Sequence, residues 1–396
     1  VPGAVDCIVV VGAGLAGARI CQEVRAGGYP GEVLLVGAEP HPPYDRPPLS
    51  KAVLLGEQDG SALEPDWYVG AQTRFGVTAT GLAPGLLATS AGDVRWGRLV
   101  LATGAVPRRL PGDGAALVLR TADDAARLRA AFRPGAAVVV VGAGWIGAEV
   151  VTAALRHGAT VTVLEAAAAP LAVALGPEVG ARIAPWYAEA GATLRTGVTV
   201  SRVDGDGVTL AGGERLPADV VVEGIGVRPE LGWLAGSGVD VDPASGGVVT
   251  DEAGRASLPG VFAVGDCAAR WSPRIGRRVR TEHWDDALHA PAVIAAALLG
   301  DEAAVYDPVP YVWSQQFGRF LQWAGWRSGP PAVWRGDPDT DRSWAVAWLA
   351  PEDGRLTGFL AVDRPRDAVQ ARRAIDAGRR PDPARLADPA VPVRDA

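Results

Sequence analysis

The stretch Val5-Asp6-Cys7-Ile8-Val9-Val10-Val11-Gly12-Ala13-Gly14-Leu15-Ala16-Gly17 decides the fold of this chain. Val5 to Val11 is a nearly unbroken apolar run, suited to a parallel strand buried on both faces. It ends in glycines at 12, 14 and 17, and Ala18 to Arg25 then reads as a helix. A second strand, Val33 to Val36, leads to Glu39, 22 positions beyond Gly17. Strand, turn, helix, strand and acid in this register make a complete dinucleotide pattern. Gly12 permits the tight turn, Gly14 the close approach of a pyrophosphate, and Gly17 the packing of helix on strand. The helix N-terminus offers amide donors and a favourable dipole to the phosphates. Glu39 is placed to accept hydrogen bonds from a ribose diol.

The pattern repeats. Ala136 to Val141 reads as a strand, Gly142, Gly144 and Gly147 as the turn, and Trp145 to His157 as the helix. Thr160 to Leu164 is the next strand and ends at Glu165, 18 positions after Gly147. Two such units call for two dinucleotides, commonly FAD in the first and a nicotinamide in the second. Glu165 would repel the extra phosphate of NADPH and accept the bare ribose of NADH. Ala166 to Ala169 supply no arginine for that phosphate, so NADH is favoured. Two further strand ends belong to the flavin site. Leu99 to Leu101 runs into Ala102-Thr103-Gly104, and Val261 to Val264 into Gly265-Asp266-Cys267-Ala268. An acid at such a strand end, ahead of a helix, is placed to hydrogen-bond a ribityl chain.

Composition narrows the function class. The 396 residues, 48% hydrophobic, suggest two to three domains with sizeable cores. A net charge of −7 argues against nucleic acid as a partner. Arg270, Arg274, Arg277, Arg278 and Arg280 form a local basic run, read as a solvated surface or as a docking patch for an acidic partner. Cys7, Cys21 and Cys267 show no metal or disulfide spacing. Cys7 and Cys21 read as small buried hydrophobes. The longest apolar stretches, such as Ala287 to Leu299, are too short to span a bilayer. No leader is expected ahead of the first strand, which points to the cytoplasm. Lys51 is the only lysine among 38 Lys and Arg. A compact ammonium kept against such a bias suggests a need that arginine's wide fork does not meet.

Taken together these motifs resemble the FAD-dependent NADH:ferredoxin and rubredoxin reductases that serve oxygenases. The resemblance runs over nearly the whole chain. It rests on both glycine turns, Pro43-Tyr44-Asp45-Arg46-Pro47-Pro48-Leu49-Ser50-Lys51, Ala102-Thr103-Gly104, Glu149, Gly265-Asp266-Cys267-Ala268 and Glu282-His283-Trp284. Its most specific part is Val309-Pro310-Tyr311-Val312-Trp313-Ser314-Gln315-Gln316-Phe317-Gly318. The resemblance implies an α/β fold with two Rossmann-like dinucleotide-binding domains and a C-terminal α/β domain. An FAD domain would comprise 1–110 and 232–302, an NADH domain 111–231, and the C-terminal domain 303–396. Glu39 would hold the adenosine ribose of FAD, Arg46 and Lys51 would sit beside the FAD, and Asp266 would bind its ribityl and diphosphate region. Glu149 would face the nicotinamide, and Trp284 and Trp313 the isoalloxazine. The candidate catalytic residues are therefore Lys51, Glu149, Trp284 and Trp313. The cofactor-binding set is Gly12, Gly14, Gly17, Glu39, Arg46, Lys51, Ala102, Thr103, Gly104, Gly142, Gly144, Gly147, Glu165, Gly265, Asp266, Glu282, His283 and Trp284. No metal ligand is expected, and His283 reads as structural. The partner implied is an acidic iron–sulfur ferredoxin docking near the 270–280 arginines and Trp313, with no nucleic acid and no membrane. The chain is expected to be a monomer or weak dimer.

Two departures from the family pattern stand out. The stretch from Trp67 to Ala102 is roughly ten residues short, which leaves the strands over Thr78 to Val94 trimmed or rebuilt. The alanines at 166–169 replace charged residues of relatives. Glu39 to Lys51 holds no cysteine, so electrons must leave through the flavin rather than a dithiol. Lys51 then has two candidate roles: stabilising negative charge on the reduced ring, or pairing with an acid such as Glu149. Seven of the 13 tryptophans lie from Trp284 onward and mostly fill a C-terminal core. Asp363 to Ala377 reads as a surface helix, and Pro381 onward as an extended tail. Competing readings are an NADH oxidase or general acceptor reductase, and a redox-gated binding protein of the apoptosis-inducing-factor type.

Overall fold

The computed structural model describes residues 7–396, so the Val5–Asp6 start of the first apolar run lies outside the described residues. The chain divides into two compact units. One contains residues up to 45, 61–106 and 227–308; the other contains 46–60, 107–226 and 309–396.

In the first unit a five-stranded parallel sheet runs in the order Val261–Ala263, Arg98–Leu101, Cys7–Val11, Glu32–Gly37, Gln72–Phe75. Its central strand is buried throughout, which is why that segment carries apolar side chains on both faces. Helices Leu15–Ala26 and Trp284–Leu298 pack on each other, with Ile20, Val24 and Ile294 in one core. Ala79–Ala83, Leu86–Thr89 and Val94–Arg95 form a three-stranded antiparallel sheet, so the shortened segment keeps its strands. A correction concerns Gly265 to Ala268. A single 3₁₀ turn over Gly265–Cys267 leads straight into the strand Ala268–Ser272, not into a helix. The segment is held extended by strands on both sides, Val248–Thr250 and Arg277–Val279, and all of it except Trp271 is buried.

The second unit repeats the parallel plan over four strands, ordered Thr193–Thr196, Thr160–Glu165, Ala137–Val141, Val220–Glu223. Beside it, residues 311–362 form a five-stranded antiparallel sheet covered by the helix Pro365–Asp376. Its first hairpin pairs Tyr311–Gln316 with Arg319–Gly325 across the two-residue loop Phe317–Gly318. Both loop residues have positive φ, 51° and 72°, as the right-handed twist of a two-residue hairpin favours. Leu54, Val150 and Trp344 lie in one continuous core, so the loop of residues 46–60, the nucleotide-type helix and the C-terminal sheet are packed as one body.

The chain beyond Pro381 is not an extended tail. Pro383–Ala387 is helical, and Leu386 and Val393 are buried against the last sheet. The buried guanidinium of Arg335 holds this segment. It donates to the carbonyls of Leu386 (3.0 Å), Asp388 (2.5 Å), Pro389 (3.3 Å) and Val391 (2.7 Å), and to the Asp367 carboxylate at 2.9 Å. A segment with few apolar residues is thereby ordered by one five-donor fork.

Candidate functional site

The two glycine turns are built by close backbone approach. Gly12 has φ 115°, and a Cβ there would sit 2.1 Å from the carbonyl oxygen of Ala102. A Cβ at Gly17 would lie 1.9 Å from the Gly12 oxygen. Gly14 begins the helix Leu15–Ala26 without a capping side chain, leaving its N-terminus to an anion. The second turn has the same construction. Gly142 has φ 103° with a would-be Cβ 2.4 Å from the Gly224 oxygen, and at Gly147 the approach to the Gly142 oxygen is 2.1 Å. Gly144 caps the helix Trp145–Arg156 in the same way. These cradles fit two dinucleotide diphosphates.

Around the first turn, Tyr44 Oη donates to the Glu39 carboxylate and orients it. Trp284 Nε1 donates to Asp45 Oδ1 at 2.7 Å. Burial holds the Asp45 carboxyl above its ordinary range, against the opposing effect of that hydrogen bond. Asp266 is half-buried, and its backbone oxygen accepts from Arg280. His283 precedes the helix Trp284–Leu298; its buried Nδ1 makes no hydrogen bond among the described residues, as suits a polar wall that a cofactor completes. Glu282 is exposed and paired with Arg280 at 2.5 Å. The Cys267 thiol is buried, pushed upward by desolvation, and donates to the Leu101 and Val264 carbonyls, which leaves no reactive thiolate. Cys7 and Cys21 are likewise buried, and neither forms a disulfide among the described residues.

In the second unit, Glu165 ends its strand with both carboxylate oxygens on backbone amides, Ala143 at 2.7 Å and Ala167 at 2.8 Å. Its position is therefore set by the turn that it would serve. The loop of residues 46–60 brings Lys51 to the adjoining helix, where Nζ meets Glu149 Oε2 at 2.9 Å. Only 2% of the Glu149 side chain is exposed. A buried ion pair persists when further donors satisfy it, and three do so. Ser50 Oγ donates to Oε2, Ser314 Oγ to Oε1 at 2.5 Å, and the Gln315 amide to Oε1 at 3.3 Å. Of the two roles open to Lys51, the ion pair is the one seen. Trp313 packs beside Tyr311, with ring centroids 6.1 Å apart. Arg46 enters the same unit as Lys51, at the start of the 46–60 loop. Ser50, Ser314, Gln316 and Thr152 carried no sequence signal beyond lying in or near the family blocks.

The basic run is not a free patch. Arg270 is buried, paired with Asp286 at 3.2 Å and stacked on Tyr306. Arg274 bonds Asp307 through its backbone and guanidinium, Arg278 donates to the carbonyls of Thr250 and Ala269, and Arg280 pairs with Glu282. Arg277 alone of the five is exposed. Four of the five cations are spent holding the hairpin Ala268–Val279 in place. The reading of the run as a freely solvated surface is corrected accordingly.

Among the described residues no cluster could hold a metal ion, and no helix is long and apolar enough to cross a membrane. Residues 6–290 match the model of the pyridine nucleotide-disulphide oxidoreductases, and residues 311–396 match a reductase C-terminal domain. The chain is 37% identical to the ferredoxin–NAD(+) reductase component of the anthranilate 1,2-dioxygenase system of Burkholderia cepacia, over 98% of each. The chain belongs to the ferredoxin reductase family of the pyridine nucleotide-disulphide oxidoreductases. Its fold agrees with that of a solved protein named Fdr9 (50% identity, TM-score 0.92, 98% of this chain and 99% of the other). It agrees equally with the reductase of a covalent putidaredoxin reductase–putidaredoxin complex (33% identity, TM-score 0.91, 99% and 98%). The protein is an oxidoreductase whose cofactors are FAD and NAD(H).

Proposed function

We propose that the protein takes electrons from NADH onto FAD and passes them singly to an iron–sulfur ferredoxin that serves a monooxygenase. The observation carrying this reading is the buried Lys51–Glu149 pair placed on the helix of the second dinucleotide turn. Bound FAD supplies the chemistry, accepting a two-electron equivalent and releasing single electrons. The chain's own residues bind and orient. The glycine cradles hold the diphosphates, with Ala102, Thr103, Gly104 and Gly265 lining the first. Glu39 and Glu165 hold the two riboses. Asp266, Glu282, His283 and Trp284, all of the first unit, complete the FAD wall, and the family resemblance assigns Arg46 to the FAD as well. Lys51 would supply a compact ammonium for negative charge on the reduced ring, an electrostatic role worth most where water is excluded. Trp313 offers an aromatic face for electron exit. The proposed division is 1–110 with 232–302, 111–231 and 303–396, with residues 46–60 packed in the second compact unit. A cytoplasmic monomer or weak dimer, facing an acidic ferredoxin, fits the same reading. Two arginines of the run are ion-paired, Arg270 and Arg280, and Trp313 is the further feature that supports docking.

Anaerobic stopped-flow reduction tests the reading. Wild-type protein should bleach its flavin with NADH and pass electrons to added ferredoxin; a colourless protein, or one that reduces no ferredoxin, would overturn it. Lys51→Ala should keep its FAD absorbance yet be reduced by NADH about 100-fold more slowly. Glu165→Gln should lower the NADH-over-NADPH ratio of kcat/KM about tenfold, the equivalent of about 1.4 kcal/mol. An unchanged ratio would remove Glu165 from cofactor selection.

A further inference from the structure

We propose that Ser314, 165 residues along the chain from Glu149, is a positioning residue of the reductive half-reaction. It would hold the Glu149 carboxylate so that the opposite oxygen fixes Lys51. The inference deepens the function proposed above and rests on the role given there to Lys51.

The hydrogen bonds around Glu149 all point inward. Gln316 Nε2 donates to Ser314 Oγ at 3.0 Å, so the Ser314 proton is free to go to Glu149 Oε1, at 2.5 Å. On the other oxygen, Lys51 Nζ approaches Ser50 Oγ at 3.4 Å and Glu149 Oε2 at 2.9 Å, and Ser50 donates to Oε2 as well. Each carboxylate oxygen thus has its own partners: Ser314 and the Gln315 amide on Oε1, Ser50 and Lys51 on Oε2. Ser314 and Gln316 are both buried, with 1% and 0% exposure, so no solvent competes for these bonds. The carboxylate cannot turn about its own axis without breaking one set.

The hairpin that carries Ser314 is itself pinned to the same helix. The Phe317 amide donates to Thr152 Oγ1 at 3.0 Å, and the Phe317 ring lies 4.7 Å from that of Tyr187. Phe317 has the left-handed backbone (φ 51°) that the two-residue turn requires, unusual for an aromatic residue. Glu149 and Thr152 are three residues apart on one helix, so they share a face. The strained hairpin tip and Ser314 therefore grip that face at two points. Such strain persists where surrounding structure over-determines it, as it does here. In this reading the C-terminal domain helps to set the nicotinamide-side acid and, through it, the chain's sole lysine.

Because Lys51 is the only lysine, an amine-reactive reagent followed by mass spectrometry reports its side chain without interference from another ε-amine. We compare wild type, Ser314→Ala, Ser314→Thr and Lys51→Ala as FAD-loaded full chains. Ser314→Ala should retain FAD, bind NADH within about twofold, show a limiting rate of flavin reduction about tenfold lower, and label at Lys51 several-fold faster. Ser314→Thr, which keeps the hydroxyl, should restore both rate and labelling towards wild type. Wild-type rate and labelling in Ser314→Ala would overturn the inference, and so would a threonine variant no better than alanine. If Lys51→Ala is reduced as fast as wild type, the reading of Lys51 fails instead, and the labelling result still reports separately on whether Ser314 positions the side chain.

Discussion

Gly142→Ala is expected to give a yellow protein that dithionite reduces but NADH does not, with NADH-driven reduction lowered at least about 100-fold. A Cβ at this position would meet the Gly224 oxygen at 2.4 Å, and φ of 103° lies where alanine is strained. Both terms act on backbone, which cannot swing aside like a flexible side chain. The turn must shift, and Glu165 shifts with it, because its carboxylate is held by the Ala143 amide next in sequence. The first turn belongs to the other compact unit and keeps its FAD. Gly12→Ala should behave oppositely. Its would-be Cβ lies 2.1 Å from the Ala102 oxygen, so the purified protein should be colourless. Flavin spectra with NADH and with dithionite distinguish the two cases, and full NADH reduction of Gly142→Ala would refute the assignment of the second turn.

The second large effect concerns stability. Arg335→Ala should destabilise the second unit by about 3–5 kcal/mol, the usual consequence of removing one partner from a buried charged network. Four carbonyls lose their donor, and the Asp367 carboxylate keeps only Arg364. Leu386 and Val393 are buried, but apolar contacts do not replace these bonds. Chemical denaturation should show the loss. Limited proteolysis should cut first beyond Pro381, and a variant as resistant as wild type would show that the apolar contacts suffice.

Both nucleotide turns were legible in the sequence because their glycines answer to local geometry. Where a backbone oxygen stands 2 Å from a missing Cβ, no other residue serves, and the spacing betrays the contact. The lone lysine was legible for a related reason, since composition alone marked Lys51. What escaped was decided by partners far away in the chain. Charge counting sees five arginines at 270–280 but not Asp286, which pairs with Arg270, nor the backbone carbonyls of Asp307, Thr250 and Ala269 that hold Arg274 and Arg278. Ser314 looked like one polar residue in a motif, because its carboxylate lies 165 positions earlier. Pro381 onward looked like a tail because the group that orders it, Arg335, is a single residue some 50 positions upstream. The strand after Gly265 was hidden by a Gly-Asp pair that equally well precedes a helix.

The division of the chain carries a consequence for dissecting it. The polypeptide passes from one compact unit to the other after residues 45, 60, 106, 226 and 308. The loop of residues 46–60 is the shortest of these excursions, and it carries Ser50 and Lys51. A fragment joining 107–226 to 309–396 keeps Glu149 and Ser314 but arrives without its lysine, leaving a carboxylate buried with no cation. Exchange of nucleotide modules between such enzymes at the obvious strand boundaries would separate acid from base. A workable graft must carry fifteen residues from the middle of the opposite module.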